Sequence, residues 1–185
     1  MLTFIKDFFK PKPPSIDADR FIWKYMDLDT ELVEEIKSIY LKNLPKDLNN
    51  LNFFNVLPIT MNVPDILGSK VTCCSLIYKA GNETQKYAHK DPILHSTLAL
   101  NIPLINCENS VTTLYKDDTH SLHISHRDQL IQILPVAKGT VLSTYVLDRP
   151  ILFNTRIFHN VENFSTEPRV AISLRFKKNP LDWIQ

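Results

Sequence analysis

The stretch "RPILFNTRIFHNVENFSTEPRVAISLRF", Arg149 to Phe176, decides the fold class. "PILFNT" and "RVAISLRF" are short runs of β-branched, aromatic and apolar residues set about a polar turn, "HNVENFSTEP", and each reads as a strand. His159 ends a strand-like run and opens that turn, and Arg169 begins the most regular strand of the chain, ten residues later. Upstream runs share this texture: "VTCCSLIYK", "STLALNIPL", "SVTTLYK", "QLIQILPV" and "GTVLSTYVL". Turn signals separate them at Gly81-Asn82, Lys116-Asp117-Asp118, Lys138-Gly139 and Asp148-Arg149-Pro150. Close-set strands with no helical period between them predict a mainly β fold: a sandwich, barrel or jelly roll.

The first 70 residues read differently. "PKPP" (Pro11 to Pro14) predicts an extended connector, because proline fixes φ and removes a donor. "DTELVEEIKSIYLKN" sets Leu32, Val33, Ile36, Ile39 and Tyr40 on one helical face, capped by Asp29 or Thr30, favoured at its start by Glu31, Glu34 and Glu35, and ended by Pro45. A chain of 185 residues suits one domain. Residues 1–70 are read as N-terminal helical and extended support, 71–176 as the β-core and 177–185 as a tail. A formal net charge of +1 and short loops argue against a duplex nucleic acid or anionic membrane partner. Three cysteines, Cys73, Cys74 and Cys107, form no CxxC pattern and suit a reducing compartment; "MLTFIKDFFK" is too short and charged for a signal or spanning segment. The expected location is cytoplasmic.

Chemistry concentrates in "QKYAHKDPILHSTLALNIPLINCENS", Gln85 to Ser110. In an extended segment residues i and i+2 share a face, so His89 and Asp91 lie side by side and Lys90 points away. By itself that pair suits two metal ligands, an acid/base couple or a surface salt pair. Strands of a jelly roll meet at an open end, where His159 would complete a site of two imidazoles and one carboxylate with other positions open. Such a set suits non-haem Fe(II) better than structural zinc, which prefers a closed tetrahedron. Arg169 adds a permanent charge whose planar fork matches a carboxylate, and on an inward position it needs an anion. "HSLHISH" offers His120, His123 and His126, but their spacing fits neither strand face, and on a helix the first and third diverge by about 120°. That segment reads as a solvated loop near the site mouth. His95 reads as a strand residue beside the site, and Cys73-Cys74 as small core residues.

His89 and Asp91 as H-x-D, the distant His159 and then Arg169 together resemble the Fe(II)/2-oxoglutarate-dependent oxygenases. The resemblance spans roughly Val71 to Phe176, and is greatest to small phage and bacterial members related to the aspartyl/asparaginyl and prolyl hydroxylases. It implies a double-stranded β-helix (jelly-roll) core with N-terminal helices packed on the sheet. It also implies Fe(II) held by His89, Asp91 and His159, 2-oxoglutarate as co-substrate with its 5-carboxylate on Arg169, and O2 as oxidant, with release of succinate and CO2. By the same resemblance Asn101 lies near the 1-carboxylate and Tyr78 supplies a hydroxyl contact. Many members carry a hydroxyl residue two positions after the arginine; Ala171 stands there in this chain, and Ser173 on the same strand face takes its part. Arg175, also on that face, is the competing arginine; Arg169 is preferred as nearest His159 at the open end. The expected activity is hydroxylation of an amino-acid side chain or small molecule, since halogenation in this family needs the carboxylate ligand replaced and Asp91 is present. The alternative is a cupin-like metal-binding sensor or binding module without catalysis.

Overall fold

Eleven strands and one α-helix make up the regular structure of the described part of this computed structural model, which covers residues 20–42, 44, 65–91, 96–116, 120–126 and 129–184. In chain order they are β1 (Trp23–Tyr25), α1 (Thr30–Lys42), β2 (Val71–Lys79), β3 (Tyr87–His89), β4 (Leu98–Ile105), β5 (Ser110–Tyr115), β6 (Leu122–His126), β7 (Gln129–Pro135), β8 (Val141–Val146), β9 (Ile151–Asn154), β10 (Phe158–Asn163) and β11 (Arg169–Phe176). They form two sheets with every pairing antiparallel, ordered β1-β9-β4-β11-β2 and β6-β7-β3-β10-β5-β8. Setting aside β1 and the β6–β7 hairpin, each sheet has four strands, and most connections cross from one sheet to the other. This is the double-stranded β-helix, or jelly roll, that the sequence predicts. The Pro11–Pro14 connector, Pro45 and His95 lie outside the described residues, and so does most of the N-terminal support. Within the described residues one α-helix, not several, packs on the sheet, and none is long and apolar enough to cross a membrane.

Alternation along β11 sorts the interior into two layers. Val170, Ile172, Leu174 and Phe176 face outward with Leu76 and Tyr78 of β2 and Leu98, Leu100 and Ile102 of β4, where Val33, Ile36 and Tyr40 of α1 cover them. Arg169, Ala171, Ser173 and Arg175 therefore face the opposite sheet. Ala99, Leu114, Tyr145, Ile151, Phe153 and Ala171 form the apolar part of that inner layer. Helix α1 starts where Asp29 Oδ1 accepts the Leu32 N–H at 3.1 Å, so Asp29 is the cap.

Two segments depart from the sequence expectation. His159 does not end a strand: it is the second residue of β10, which runs on through "FHNVEN". The polar letters conceal the strand because Asn160 and Asn163 are fully buried and bonded. Asn160 Oδ1 accepts from the Tyr115 hydroxyl at 3.3 Å, and Asn163 Nδ2 donates to Ala80 O and Glu167 O at 3.0 and 2.8 Å. "LHISH" is likewise no loop but the edge strand β6, paired with β7 from Leu122↔Ile133 to His126↔Gln129. Its apolar/polar alternation, Leu122-His123-Ile124-Ser125, is the signal that histidine spacing obscures.

Ile36 is 2% exposed between α1 and the sheet, whereas Leu41 on the opposite helix face is 50% exposed. Ile36→Ala is expected to cost about 2–5 kcal/mol in urea unfolding, and Leu41→Ala no more than about 0.5 kcal/mol.

Candidate metal centre

β3 and β10 pair at one register position, His159↔His89, so their side chains emerge side by side on the inner face. The two rings lie 4.6 Å apart, centroid to centroid. The chain leaves β3 after His89 and stays extended, returning Asp91 to the same face. Asp91 Oδ1 lies 3.2 Å from His89 Nε2 and 3.6 Å from His159 Nε2. Between them Lys90 points the other way, with its ammonium 4.4 Å from the centroid of the Phe158 ring. Asp91 is held from both ends of its backbone: its N–H donates to Thr155 O at 3.1 Å, and its carbonyl accepts from Arg156 Nη1 at 2.7 Å. Thr155 is itself tied to Thr97 O through its N–H at 2.8 Å and its hydroxyl at 3.0 Å. The turn after β9 thus fixes the carboxylate.

Among the described residues these three form the one group of His, Cys, Asp or Glu donors close enough to share an ion, with their ligand atoms all within 4.8 Å of one another. A divalent ion with bonds of about 2.1 Å places neighbouring donors about 3–3.5 Å apart, so the two Asp91 separations fit and the imidazoles need little movement. His159 Nδ1 lies 2.9 Å from Ile157 O; donating its proton there leaves the Nε2 lone pair for a metal. Burial, aided by nearby His89 and opposed by Asp91, lowers the His159 pKa to about 4, so the ring is neutral at pH 7 and ligation displaces no proton. Burial alone would raise the Asp91 carboxyl. The Arg175 guanidinium and both imidazoles outweigh it and hold Asp91 well below the usual carboxylate range. Arg175 Nη2 donates directly to Asp91 Oδ2, leaving Oδ1 turned toward the histidines. The donor set suits Fe(II): two imidazoles and one carboxylate, with no further His, Cys, Asp or Glu donor beside them among the described residues.

The floor below is polar in an otherwise apolar layer. Asn101 of β4, Ser173 of β11 and Ser75 of β2 form one register row on the inner face, all buried. Among the described residues Asn101 Oδ1 and Ser173 Oγ have no hydrogen-bond partner, and neither do Nε and Nη1 of Arg169, which is 2% exposed. Buried polar groups are almost always paired, so four such atoms on one sheet face call for a polar guest. The Tyr145 phenol, kept protonated by burial, bonds Thr112 and lies within electrostatic range of both Arg169 and Asp91.

The sequence reading needs two corrections here. Tyr78 pairs with Val170 and packs in the outer layer under α1, on the sheet face away from the metal centre, so it does not contact anything bound there. The period of two along β2 puts Lys79 and Ser75 inside and Tyr78 and Leu76 outside. Arg169 is not the arginine nearest the metal residues: Arg175 occupies that place on Asp91, and Arg169 begins β11 six residues earlier, toward the other end of the strand. His89, Asp91, His159, Asn101, Ser173 and Arg169 do share one interior. Sequence reasoning missed Tyr145 and Ser75, and assigned Arg175 no part at the metal. Among the described residues, His120 and His123 are exposed and belong to no group of donors close enough to share an ion.

No protein-family model matches the sequence, and neither does any curated protein. Among solved structures, EctD from S. alaskensis, crystallised with 2-oxoglutarate and 5-hydroxyectoine, is similar with a TM-score of 0.46 and 15% identity over 84% of this chain and 72% of that one. AviO1 from Streptomyces viridochromogenes Tue57 is similar with a TM-score of 0.43 and 13% identity over 84% of this chain and 89% of that one.

Under limiting Fe(II), Asp91→Ala and His159→Ala should each lower bound metal well below the parent's stoichiometry, while joint replacement of His120, His123 and His126 leaves it nearly intact. The reverse pattern overturns the ligand set. Arg175→Met strands a buried carboxylate and is expected to cost about 3–5 kcal/mol without metal. Saturating Mn(II), which neutralises Asp91 in the folded state alone, should restore much of it, read as urea midpoints with and without the ion.

Proposed function

We propose that this protein is an Fe(II)- and 2-oxoglutarate-dependent oxygenase that hydroxylates a C–H bond of a small molecule or side chain. The observation that carries this reading is the unpaired, buried Arg169 guanidinium, on the same inner face as the His89, Asp91 and His159 set and separated from it by Asn101 and Ser173. A charge so placed needs an anion, and a dicarboxylate with one end at the metal and the other at Arg169 meets both demands. When bound, Fe(II) and 2-oxoglutarate supply oxidising power from O2, with the co-substrate leaving as succinate and CO2.

The chain's residues bind, aim and exclude water. His89, Asp91 and His159 hold the ion from one side. Arg175 positions Asp91 by occupying the oxygen turned away from the imidazoles. Arg169 pairs with the distal carboxylate, and Asn101 and Ser173 offer hydrogen bonds along the way, Ser173 in place of the hydroxyl that Ala171 lacks. Lys79, buried next to Arg169 in the register and paired with Glu83 at 3.2 Å, adds to the positive field at that end. Leu114, Phe153 and Tyr145 wall the interior and keep bulk water from the reacting carbon. Because Asp91 fills the carboxylate position, hydroxylation is expected over halogenation.

Purified protein with Fe(II), O2 and 2-oxoglutarate should release succinate, and none when any one of the three is withheld. Metal binding without succinate formation, with or without candidate substrates, would make the protein a metal-binding module instead. Losing a charge-assisted bond costs about 1.5–3 kcal/mol, so Arg169→Ala should weaken 2-oxoglutarate binding by roughly 10- to 150-fold with metal stoichiometry unchanged. A calorimetric titration in which Arg169→Ala binds like the parent rejects the assignment.

A further inference from the structure

The metal centre continues sideways into an apolar surface. Antiparallel partners share a sheet face, so the register runs Leu114–His159–His89–Ile133–Leu122 across five strands of the second sheet. Ile131↔Ile124 forms the neighbouring row on that face, and Tyr87 lies one pleat along β3 from His89. Leu114 and His159 are buried, and His89 is half-buried beside the other metal residues. The rest is open: Ile131 and Ile133 are half-buried, Leu122 is 55% exposed, Ile124 42% and Tyr87 49%. Successive strands lie about 4.8 Å apart, so this shelf begins next to His89 and reaches about 10 Å from it. None of these five side chains is charged, whereas His123 and Gln132 fall on the reverse face.

We infer that this shelf seats the substrate and that the substrate presents an uncharged aliphatic segment to it. The inference rests on the oxygenase reading for the reaction, but the shelf follows from register and exposure alone. Solvent-facing apolar residues contiguous with a metal centre mark a binding surface. The geometry favours a chain lying across the face over a peptide added to the β6 edge: an added strand stands about 14 Å from His89, too far to place a carbon at the metal. Tyr87, Ile133 and Leu122 set the chain's path, and His89 marks where it meets the ion.

The probe is a series of neutral N-alkylacetamides from butyl to decyl, titrated calorimetrically into the full chain without iron or 2-oxoglutarate. Affinity should rise about fourfold per added methylene over the length of the shelf. Leu122→Ser/Ile124→Ser should flatten that dependence while leaving the urea midpoint and 2-oxoglutarate affinity unchanged, since both residues are exposed and away from the floor. With Fe(II) and 2-oxoglutarate, the longer amides should stimulate succinate release from the parent and not from the double variant. An affinity indifferent to chain length, or equally steep in the variant, overturns the inference. So does a parent dimer in sedimentation that the double variant dissolves, which would make the face an interface between copies. Tight alkyl binding with no 2-oxoglutarate turnover strikes the oxygenase reading instead and leaves the shelf an apolar-ligand site.

Discussion

A single backbone pairing, His89 against His159, is the constraint on which the rest of the molecule depends. β3 is only three residues long and joins β10 at that position alone, yet it links the hairpin β6–β7 to the body of the second sheet. A one-residue slip would turn His89 to the outer face and bring Ala88 or Lys90 inside. Register is fixed on the reverse side by apolar packing, where Ala88, Leu134, Phe158 and Tyr115 form their own buried cluster. The outer face of the sheet thereby sets the chemistry of the inner one.

Charge inside the β-core is arranged in two stations. At the metal end, Arg175 neutralises Asp91, so the protein folds without needing an ion to compensate the carboxylate. At the other end, Arg169 and Lys79 stand as register neighbours with Glu83 on Lys79. A buried guanidinium such as Arg169 is costly in a low dielectric unless a ligand brings negative charge. The unpaired Asn101 and Ser173 atoms between the stations extend the same demand to hydrogen bonding. Rigid placement of these groups on β4 and β11, the two central strands of their sheet, holds them ready before anything binds.

Much of this was legible in the sequence, and the failures have physical causes. The strand-rich core, the inward His89–Asp91 pair with Lys90 turned away, and the inner face of β11 follow from residue alternation, which is local. The face of Tyr78 was also available from the alternation of β2; spacing from His89 was the wrong guide, because it carries no information on which side of the sheet a residue lies. β10 escaped because buried asparagines bonded to Tyr115, Ala80 and Glu167 resemble a polar turn when read without those neighbours. Arg175 escaped because its partner Asp91 lies 84 residues away, and only the closed fold joins them.

The unequal width of the sheets connects fold to access. The second sheet has six strands against five, and its extra hairpin attaches on the β3 side, beside a metal ligand. Strands within the body of a jelly roll have their inner faces covered by the opposite sheet, so an inward residue there serves packing first. The β6–β7 hairpin extends the metal-bearing face past that cover, and its inward positions are free to be chosen for a ligand. That four of these positions, Leu122, Ile124, Ile131 and Ile133, are leucine and isoleucine, while the paired His123 and Gln132 stand on the reverse face, is opposite to what solubility alone would select at an open edge. A hairpin that turns Leu122, Ile124, Ile131 and Ile133 toward the metal-bearing face, even where no second sheet covers it, has the form of a wall awaiting an apolar guest.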